Sequence, residues 1–549
     1  MRKVIFKSSR IKNVKITLPG SKSLSIRALF IASLADGITK LYNIVYCDDV
    51  NYIIDALKNL GIKIIKKKNH LEVIGAKGKF KKPNKKLYIG YSGLGLRFLT
   101  ALSFLTKFKI QIEGGKRLMV RPIKDLEKSL KSYKNGLFKI SGWQSSQFLS
   151  AILIIAPLLD KNIKILVSEK LVSRPYIDMT IKIMKDFGVK VENINYKEFI
   201  IKKGQNYHAS SYNINGDATQ AVYFSVLSKL HMKKITTIKP ELNIKEIKFG
   251  AENDLNNSPD SAIAVAILAA LNKGKTKIIN IENLRYKECD RIKSTVMELK
   301  KINIKCKELK DGFEIEGNPK KIKNTVLIDS HNDHRMVMSF ALLGTKLSGL
   351  QILNPDCVSK SYPIFFNDLK STGAKFSIKK IPNIILTGMR GSGKSTIGKI
   401  IANKLGYKFI DLDKEIEKHE KMAITEIVKQ HGWAYFREKE KQAVKKLINK
   451  KDVVIATGGG TILDNNNKKL LKKFGKIIFI NRNLIELEQN IKNDKIKRPF
   501  ITNQKTLKEE LRQLWKERKA LYKKNADLIM NFNKNIGIEE KSEKIIMEL

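Results

Sequence analysis

Residues 383–406 read NIILTGMRGSGKSTIGKIIANKLG: an apolar run closed by Gly388, a glycine-rich turn, and an amphipathic segment that stops at Gly406. Gly388-Met389-Arg390-Gly391-Ser392-Gly393-Lys394-Ser395 satisfies G-x-x-x-x-G-K-[ST], in the context that gives the motif meaning, a predicted strand before it and a predicted helix after it. Glycines at these spacings let backbone N–H groups fold round a phosphate, and the helix N-terminus adds a favourable dipole. Lys394 is placed to reach β- and γ-phosphate oxygens and Ser395 to ligate Mg²⁺. Ile397, Ile400, Ile401 and Leu405 share one helical face, with Gly406 as the stop. Apolar runs at 407–410, 453–457 and 477–480 predict further strands, so the segment reads as a parallel sheet sandwiched by helices.

Working back from this stretch, 371–380 is polar and carries Gly373, and the apolar run at 383–387 starts afresh after Pro382. A domain boundary is expected near 380/381. Upstream, one pattern occurs six times: a turn of small or polar residues opens into an apolar helix. The openings are PGSKSLSIRALFIASL at Pro19, YSGLGLRFLTALSFL at Tyr91, SGWQSSQFLSAILIIAPLL at Ser141, NGDATQAVYFSVLSKL at Asn215, NSPDSAIAVAILAAL at Asn257 and HNDHRMVMSFALLGTKL at His331. Each is apolar nearly all round, as a buried helix is. Short runs between them, such as 71–74, 163–167 and 278–281, predict strands bounded by Gly, Asn and Lys turns. Any single opening is what a capped helix in an α/β protein shows. Six at long intervals argue for a repeated α/β unit.

The chain has 549 residues, and at about 150 residues per domain it should hold three or four compact units. Its hydrophobic share of 42% is that of a globular protein. No apolar h-region follows Arg2, Lys3 and Lys7, and the longest apolar stretches fall short of a bilayer span, so a cytoplasmic protein without membrane association is expected. The four cysteines, Cys47, Cys289, Cys306 and Cys357, form no CxxC pair, which fits reduced thiols rather than a zinc site or a disulfide framework. The net charge of +53 raises the question of nucleic acid. The lysines are spread along the chain without interleaved aromatics, so no specific nucleic-acid role is expected. A basic field still draws anionic substrates.

The C-terminal segment resembles shikimate kinase over its length from about Pro382. The resemblance rests on Asp411-Leu412-Asp413, Phe436-Arg437 with Glu440, Gly458-Gly459-Gly460, Arg498-Pro499, and Glu517-Arg518 before Ala520-Leu521-Tyr522. It implies that Asp413, Arg437, Gly459 and Arg518 hold shikimate, and that Gly391, Ser392, Gly393, Lys394, Ser395, Thr396 and Arg498 bind ATP as co-substrate. Ser395 and Asp411 would hold Mg²⁺, with Lys394 and the lid residue Arg498 acting on the transferring phosphoryl group.

The first 380 residues resemble EPSP synthase (3-phosphoshikimate 1-carboxyvinyltransferase), and all six openings coincide with that family's motifs. Lys22, Ser23 and Arg27 stand in PGSKSLSIRA, Arg121 in VRPIKDL, Ser145-Ser146-Gln147 in the third opening, Ser173 and Tyr176 in LVSRPYIDMT, Asp217 in the GDA turn and Asp260 in the PD turn. Residues 283–291, NLRYKECDR, match the Lys-Glu loop, and Asn332-Asp333-His334-Arg335 and Lys360 complete the set. Two mutually repelling phosphorylated carboxylic acids need countercharge, which Lys22, Arg27, Arg121, Lys287, Arg291, Arg335 and Lys360 supply.

The resemblance implies that Lys22, Ser23, Arg27, Ser145, Ser146, Gln147, Ser173, Asp260, Asn283 and Lys287 hold shikimate 3-phosphate. It assigns phosphoenolpyruvate to Lys22, Gly93, Arg121, Gln147, Arg291, Arg335 and Lys360. Asp260 would act as base towards the 5-hydroxyl and Glu288 as acid towards the enolpyruvyl methylene, Lys22 assisting, with no cofactor. The implied fold is a two-domain inside-out α/β barrel of six repeated units. Lobe one would run from about 20 to 215 and lobe two over about 1–19 plus 216–380, with crossings near Gly20 and Gly216. The kinase domain would be 381–549.

One loop departs from the family: Tyr91-Ser92-Gly93-Leu94 replaces Asn-Ala-Gly-Thr before Arg97. The loss of an amide and a hydroxyl implies weaker binding of phosphoenolpyruvate and of glyphosate. A related family that enolpyruvylates UDP-N-acetylglucosamine carries a reactive Cys before the position of Arg121, and residues 114–120 have none. The expected product of the fused halves is 5-enolpyruvylshikimate 3-phosphate, made by a monomer. The alternative is that only one half is active and the other is a structural or regulatory module, resting on the altered loop at Tyr91.

Overall fold

The computed structural model describes residues 1–447, 449–493, 500–502, 504–532 and 536–549. By contacts the chain divides into a larger unit, Val4–Ser377, and a smaller one, Met1–Lys3 with Ile378–Leu549.

In the larger unit the six openings become six helices: Lys22–Leu34, Gly93–Ser103, Ser146–Ile155, Ala218–His231, Ala262–Ala270 and His334–Gly344. Five start on a side-chain cap, from Ser21, Ser92, Ser145, Asp217 and Asp333, each satisfying an otherwise orphaned N–H. The exception is Ala262–Ala270, entered through a 3₁₀ turn at Pro259–Ser261 with no side-chain cap. Asp260 therefore does not cap its helix. All nine residues of Ala262–Ala270 are buried, and each buried Ile or Leu contributes roughly 1.5–3 kcal/mol.

Two hydrophobic cores occupy this unit. One gathers residues between Leu24 and Ile214; the other joins Val4–Leu18 to residues from Ala221 to Ala374. The chain passes between them at an isolated bridge, Gly20 to Gly216, flanked by Ser21 N to Asn215 O (2.8 Å) and Asp217 N to Pro19 O (3.1 Å). A Cβ on Gly20 would lie 1.9 Å from the Asn43 carbonyl oxygen, so the crossing requires glycine there.

Each core is served by two four-stranded sheets and one two-stranded sheet. Three of the four larger sheets repeat one pairing pattern, a parallel pair followed by two antiparallel ones. An example is Ser211–Asn213 on Ile38–Tyr42 on His70–Ile74 on Lys63–Lys66. The strand expected at 278–281 is shifted: it runs Gly274–Ile279, and Asn280, at φ +61°, turns the chain out of the sheet.

In the smaller unit five parallel strands lie in the order Lys408–Asp411, Val453–Ala456, Ile384–Thr387, Lys476–Asn481, Leu528–Asn531. The P-loop strand is central and the chain leaves it towards neighbours on opposite sides, which opens a crevice at the strands' carboxyl ends. Gly388, Gly391 and Gly393 have φ of +147°, +77° and +91°, conformations that L side chains rarely adopt. The helix Lys394–Leu405 follows and ends on left-handed Gly406. Ile397, Ile401 and Leu405 are buried as expected, while Ile400 is only partly covered.

Candidate active sites

A cleft in the larger unit gathers most of the residues expected to form a site. Lys22, Ser23, Arg27, Gly93, Arg121, Ser145, Ser146, Gln147, Ser173, Asp260, Asn283, Lys287, Glu288, Arg291 and Arg335 all line it. Lys360 joins the cluster through Glu288 (3.2 Å) and Asp49 (3.0 Å).

Two acids stand among these cations. Asp260 accepts from Arg291 Nη1 at 2.8 Å and Arg335 Nη2 at 3.0 Å, with Lys287 Nζ at 3.8 Å. Burial pushes the Asp260 carboxyl up, but Arg335, Lys287 and Arg291 outweigh it and hold the group well below the usual range. Glu288 accepts from Arg291 Nη2 at 2.8 Å and pairs with Lys360. Arg121 Nη2 lies 3.3 Å from Glu288, a charge contact out of line for a hydrogen bond. Burial raises Glu288, but Arg121, Lys360 and Arg291 again prevail and depress it far below the ordinary value. Arg291 is fixed in turn by Asp333, Nε to Oδ2 at 2.7 Å, at the cap of His334–Gly344.

Several groups in this cleft were not legible as site residues. Asp49 holds Lys22 at 3.1 Å and Lys360 at 3.0 Å. Arg97 donates to Gly93 O (2.9 Å) and Pro122 O (2.7 Å), fixing backbone on both sides of Arg121. Arg117 reaches from the short helix Lys116–Met119 to the carbonyls of Arg285 (2.7 Å) and Lys287 (3.2 Å), tying lobe one to the loop that carries Glu288. His334 is 2% exposed with neither ring nitrogen hydrogen-bonded, and burial keeps its imidazole neutral. Asn283 Oδ1, a site residue already expected from the sequence, is likewise buried without a hydrogen bond. These atoms line the cleft and suit a ligand's polar groups.

Arg27 differs from the other cations. Its Nε donates to Thr180 Oγ1 at 2.7 Å and its Nη atoms to Ser23 O, Ser150 Oγ and Tyr176 O, at 1% exposure. In the variant loop, Tyr91 uses its carbonyl to accept from Lys360 Nζ at 2.7 Å, and Leu94 is buried. A Cβ on Gly93 would sit 2.6 Å from Arg121 Nη1, so this glycine gives the guanidinium its room.

In the smaller unit Lys394 Nζ folds back on the carbonyls of Gly388 (3.0 Å) and Met389 (2.9 Å). Ser395 Oγ donates to Asp411 Oδ2 at 2.6 Å. This hydroxyl and carboxylate form a hard oxygen pair of the kind Mg²⁺ takes. A second pocket brings together Asp413, Arg437, Gly459 and Arg518, floored by Trp433, Phe436 and Leu514. Arg437 is held by Glu440 at 2.7 Å, and Arg518 donates to Gly459 O at 3.3 Å. Glycines make this closeness possible: a Cβ on Gly460 would lie 2.3 Å from Arg437 Nη2, and one on Gly458 2.7 Å from Asp413 Oδ1. Arg498 lies outside the described residues. Among the described residues, no three or more His, Cys, Asp or Glu side chains cluster as metal ligands, and no helix is long and apolar enough to cross a membrane.

These arrangements match known families. Residues 7–137, 131–249 and 231–369 fit the family model of EPSP synthase (3-phosphoshikimate 1-carboxyvinyltransferase), and residues 390–549 that of shikimate kinase. A 3-phosphoshikimate 1-carboxyvinyltransferase of Clostridium beijerinckii is 35% identical over 66% of this chain and 95% of its own length. A pentafunctional AROM polypeptide of Pneumocystis carinii is 33% identical over 93% of this chain, which spans 38% of that relative. An EPSP synthase structure from Acinetobacter baumannii, 22% identical, superposes with a TM-score of 0.58 over 69% of this chain and 100% of its own, and shares the fold. The chain belongs to the EPSP synthase family and carries a shikimate kinase domain after it.

Proposed function

We propose that the chain phosphorylates the 3-hydroxyl of shikimate with MgATP and then transfers the enolpyruvyl group of phosphoenolpyruvate to the 5-hydroxyl of the product, releasing phosphate. The transferase half rests chiefly on the placement of Asp260 and Glu288 in one cleft, each clamped by cations that a phosphate or carboxylate would claim. Substrate anions arriving on Arg121, Arg291, Arg335, Lys287 and Lys360 draw those cations off the acids. Both carboxyls then rise towards values at which they exchange protons. Asp260 takes the proton of the attacking hydroxyl, and Glu288 delivers one to the methylene carbon. Lys22, with its ammonium held charged by Asp49 and Glu288 against burial, faces the same charge development.

In the kinase half, the P-loop N–H groups and Lys394 bind the phosphates, and Asp413, Arg437 and Arg518 orient the acceptor. Ser395 and Asp411 would hold Mg²⁺, which supplies countercharge to the phosphates when bound. Incubation with shikimate, MgATP and phosphoenolpyruvate, followed by identification of the product, tests the whole reading. Formation of shikimate 3-phosphate alone leaves only the kinase half, and no turnover of shikimate overturns the kinase half, with shikimate 3-phosphate supplied directly then testing the transferase half.

A further inference from the structure

We propose that Glu241 is a positioning residue of the transferase cleft, the end of a hydroxyl relay that carries away the proton taken up by Asp260. The inference deepens the transferase reading above and rests on it.

Glu241 lies between the strand Ile235–Thr236 and the 3₁₀ turn Ile244–Glu246. Thr219 Oγ1 donates to Glu241 Oε2 at 2.8 Å and Ser261 Oγ to Oε1 at 2.9 Å. Its own N–H donates to Ala218 O at 3.0 Å. The carboxyl thus ties the first turn of Ala218–His231 to the turn that carries Asp260. From the other lobe, Tyr176 brings its hydroxyl to 3.4 Å from Thr219 Oγ1 and 3.5 Å from Asp260 Oδ2. A continuous path results: Asp260, Tyr176, Thr219, Glu241.

Asp260 is a poor resting place for a proton. Once the departing anions release them, Arg291 and Arg335 contact its oxygens directly and Lys287 stands near, all favouring the carboxylate. Glu241 meets different conditions. Its hydrogen-bond partners are hydroxyls, which accept as readily as they donate, so either protonation state is satisfied without rearranging the chain. The charged and titratable groups facing it are Arg335 on His334–Gly344, Asp260 beside Ser261, and Tyr176 on Arg174–Asp186. Burial lifts the Glu241 carboxyl to about 7, with Asp260 adding to the rise and Arg335 opposing it. Burial and the same two acids hold the Tyr176 phenol far above its ordinary value. Tyr176 therefore passes a proton on in concert and never carries charge.

The step balances. The acceptor hydroxyl loses its proton to Asp260 as its oxygen bonds to the enolpyruvyl carbon. Asp260 then gives a proton to Tyr176 Oη, Tyr176 its own to Thr219 Oγ1, and Thr219 its own to Glu241. Only Asp260 and Glu241 change charge. Glu241 keeps partial exposure, through which the proton reaches solvent.

The test is the pH profile of enolpyruvyl transfer for wild type, Glu241→Gln, Thr219→Val and Thr219→Ser. Glu241→Gln should lower kcat by about tenfold and remove an ionisation near neutral pH from the kcat profile, with little change in either KM. Thr219→Val should reproduce that loss and Thr219→Ser should restore the wild-type profile. Should Glu241→Gln fail to fold, the Val and Ser pair decides. A competent wild type with an unaltered profile in Glu241→Gln or Thr219→Val overturns this inference alone. A wild type without any transfer activity overturns the transferase reading, and this inference with it.

Discussion

In the cleft of the larger unit, cations and acids neutralise one another: Lys22 and Lys360 on Asp49, Arg121 and Lys360 on Glu288, Arg291 and Arg335 on Asp260. In the smaller unit, Lys394 and Arg518 donate to backbone carbonyls, of Gly388, Met389 and Gly459, while Arg437 is clamped by Glu440 and Arg390 faces Glu510 at 3.5 Å. The contrast follows from the chemistry each would perform. A phosphoryl transfer needs cations held ready, and a carbonyl is easily exchanged for a phosphate oxygen. An addition and elimination between two anions needs acids that change protonation during turnover. Such acids would be kept ionised by the charges that the substrates would later occupy.

The largest effects should separate the two sites. Asp260→Asn should cut enolpyruvyl transfer by about 10²–10⁴-fold and leave shikimate phosphorylation unchanged. Lys394→Ala should do the reverse, on the order of 10²–10³-fold. Separate assays check both, and loss of both activities in either variant would break the comparison. Next, Gly460→Ala places a methyl against the Arg437 guanidinium, so the KM for shikimate should rise on the order of tenfold with transfer unaffected. Steady-state kinetics with each substrate varied will show it.

A smaller effect concerns Lys3, whose Nζ donates to Ile546 O (2.7 Å) and Met547 O (2.8 Å) at the end of Ile538–Glu548. Lys3→Met should lower the stability of the smaller unit by about 1–3 kcal/mol, read by denaturant melts followed through kinase activity. The smallest effect is the pH dependence of stability, where two buried glutamates should act in opposite senses. Glu288 is depressed in the folded protein, so its contribution is present above the ordinary carboxylate range and is lost as pH falls through its folded value. Burial raises Glu440 despite Arg437, so its contribution is complete below the ordinary range and is lost as pH rises through its folded value. Glu440→Gln should therefore flatten the decline towards neutral pH, and Glu288→Gln the decline into acid. Thermal melts between about pH 2 and 8 should show shifts of a few degrees.

Much of this was legible because its signals are local. The P-loop is a contiguous run, and five of the six buried helices announce themselves by a capping Ser or Asp one residue before an apolar stretch. What stayed hidden depends on residues far apart in sequence. Asp49 reads as an acid in a helix's first turn, and only the fold brings it to Lys360, 311 positions away. Arg117 sits in a basic run where nothing marks it off from Lys116, and its partners are carbonyls, which no side-chain pattern encodes. Glu241 lies in a polar loop with no motif, and its setting is made by Thr219, Ser261 and Tyr176 from three different elements. Asp260 stands in a helix opening as a cap would, and only its pairing with Arg291 and Arg335, from elsewhere in the chain, sets it apart.

The division of the chain places Met1–Lys3 with the smaller unit, so in sequence the larger unit is an insertion within it. Lys3 leaves the ribosome 543 residues before Ile546, the carbonyl it finally binds. A kinase fragment cut at the expected boundary would therefore lack a buried ammonium that its last helix turns towards. Genes split there should yield a weaker kinase than the fusion does, for reasons that have nothing to do with passing an intermediate between sites.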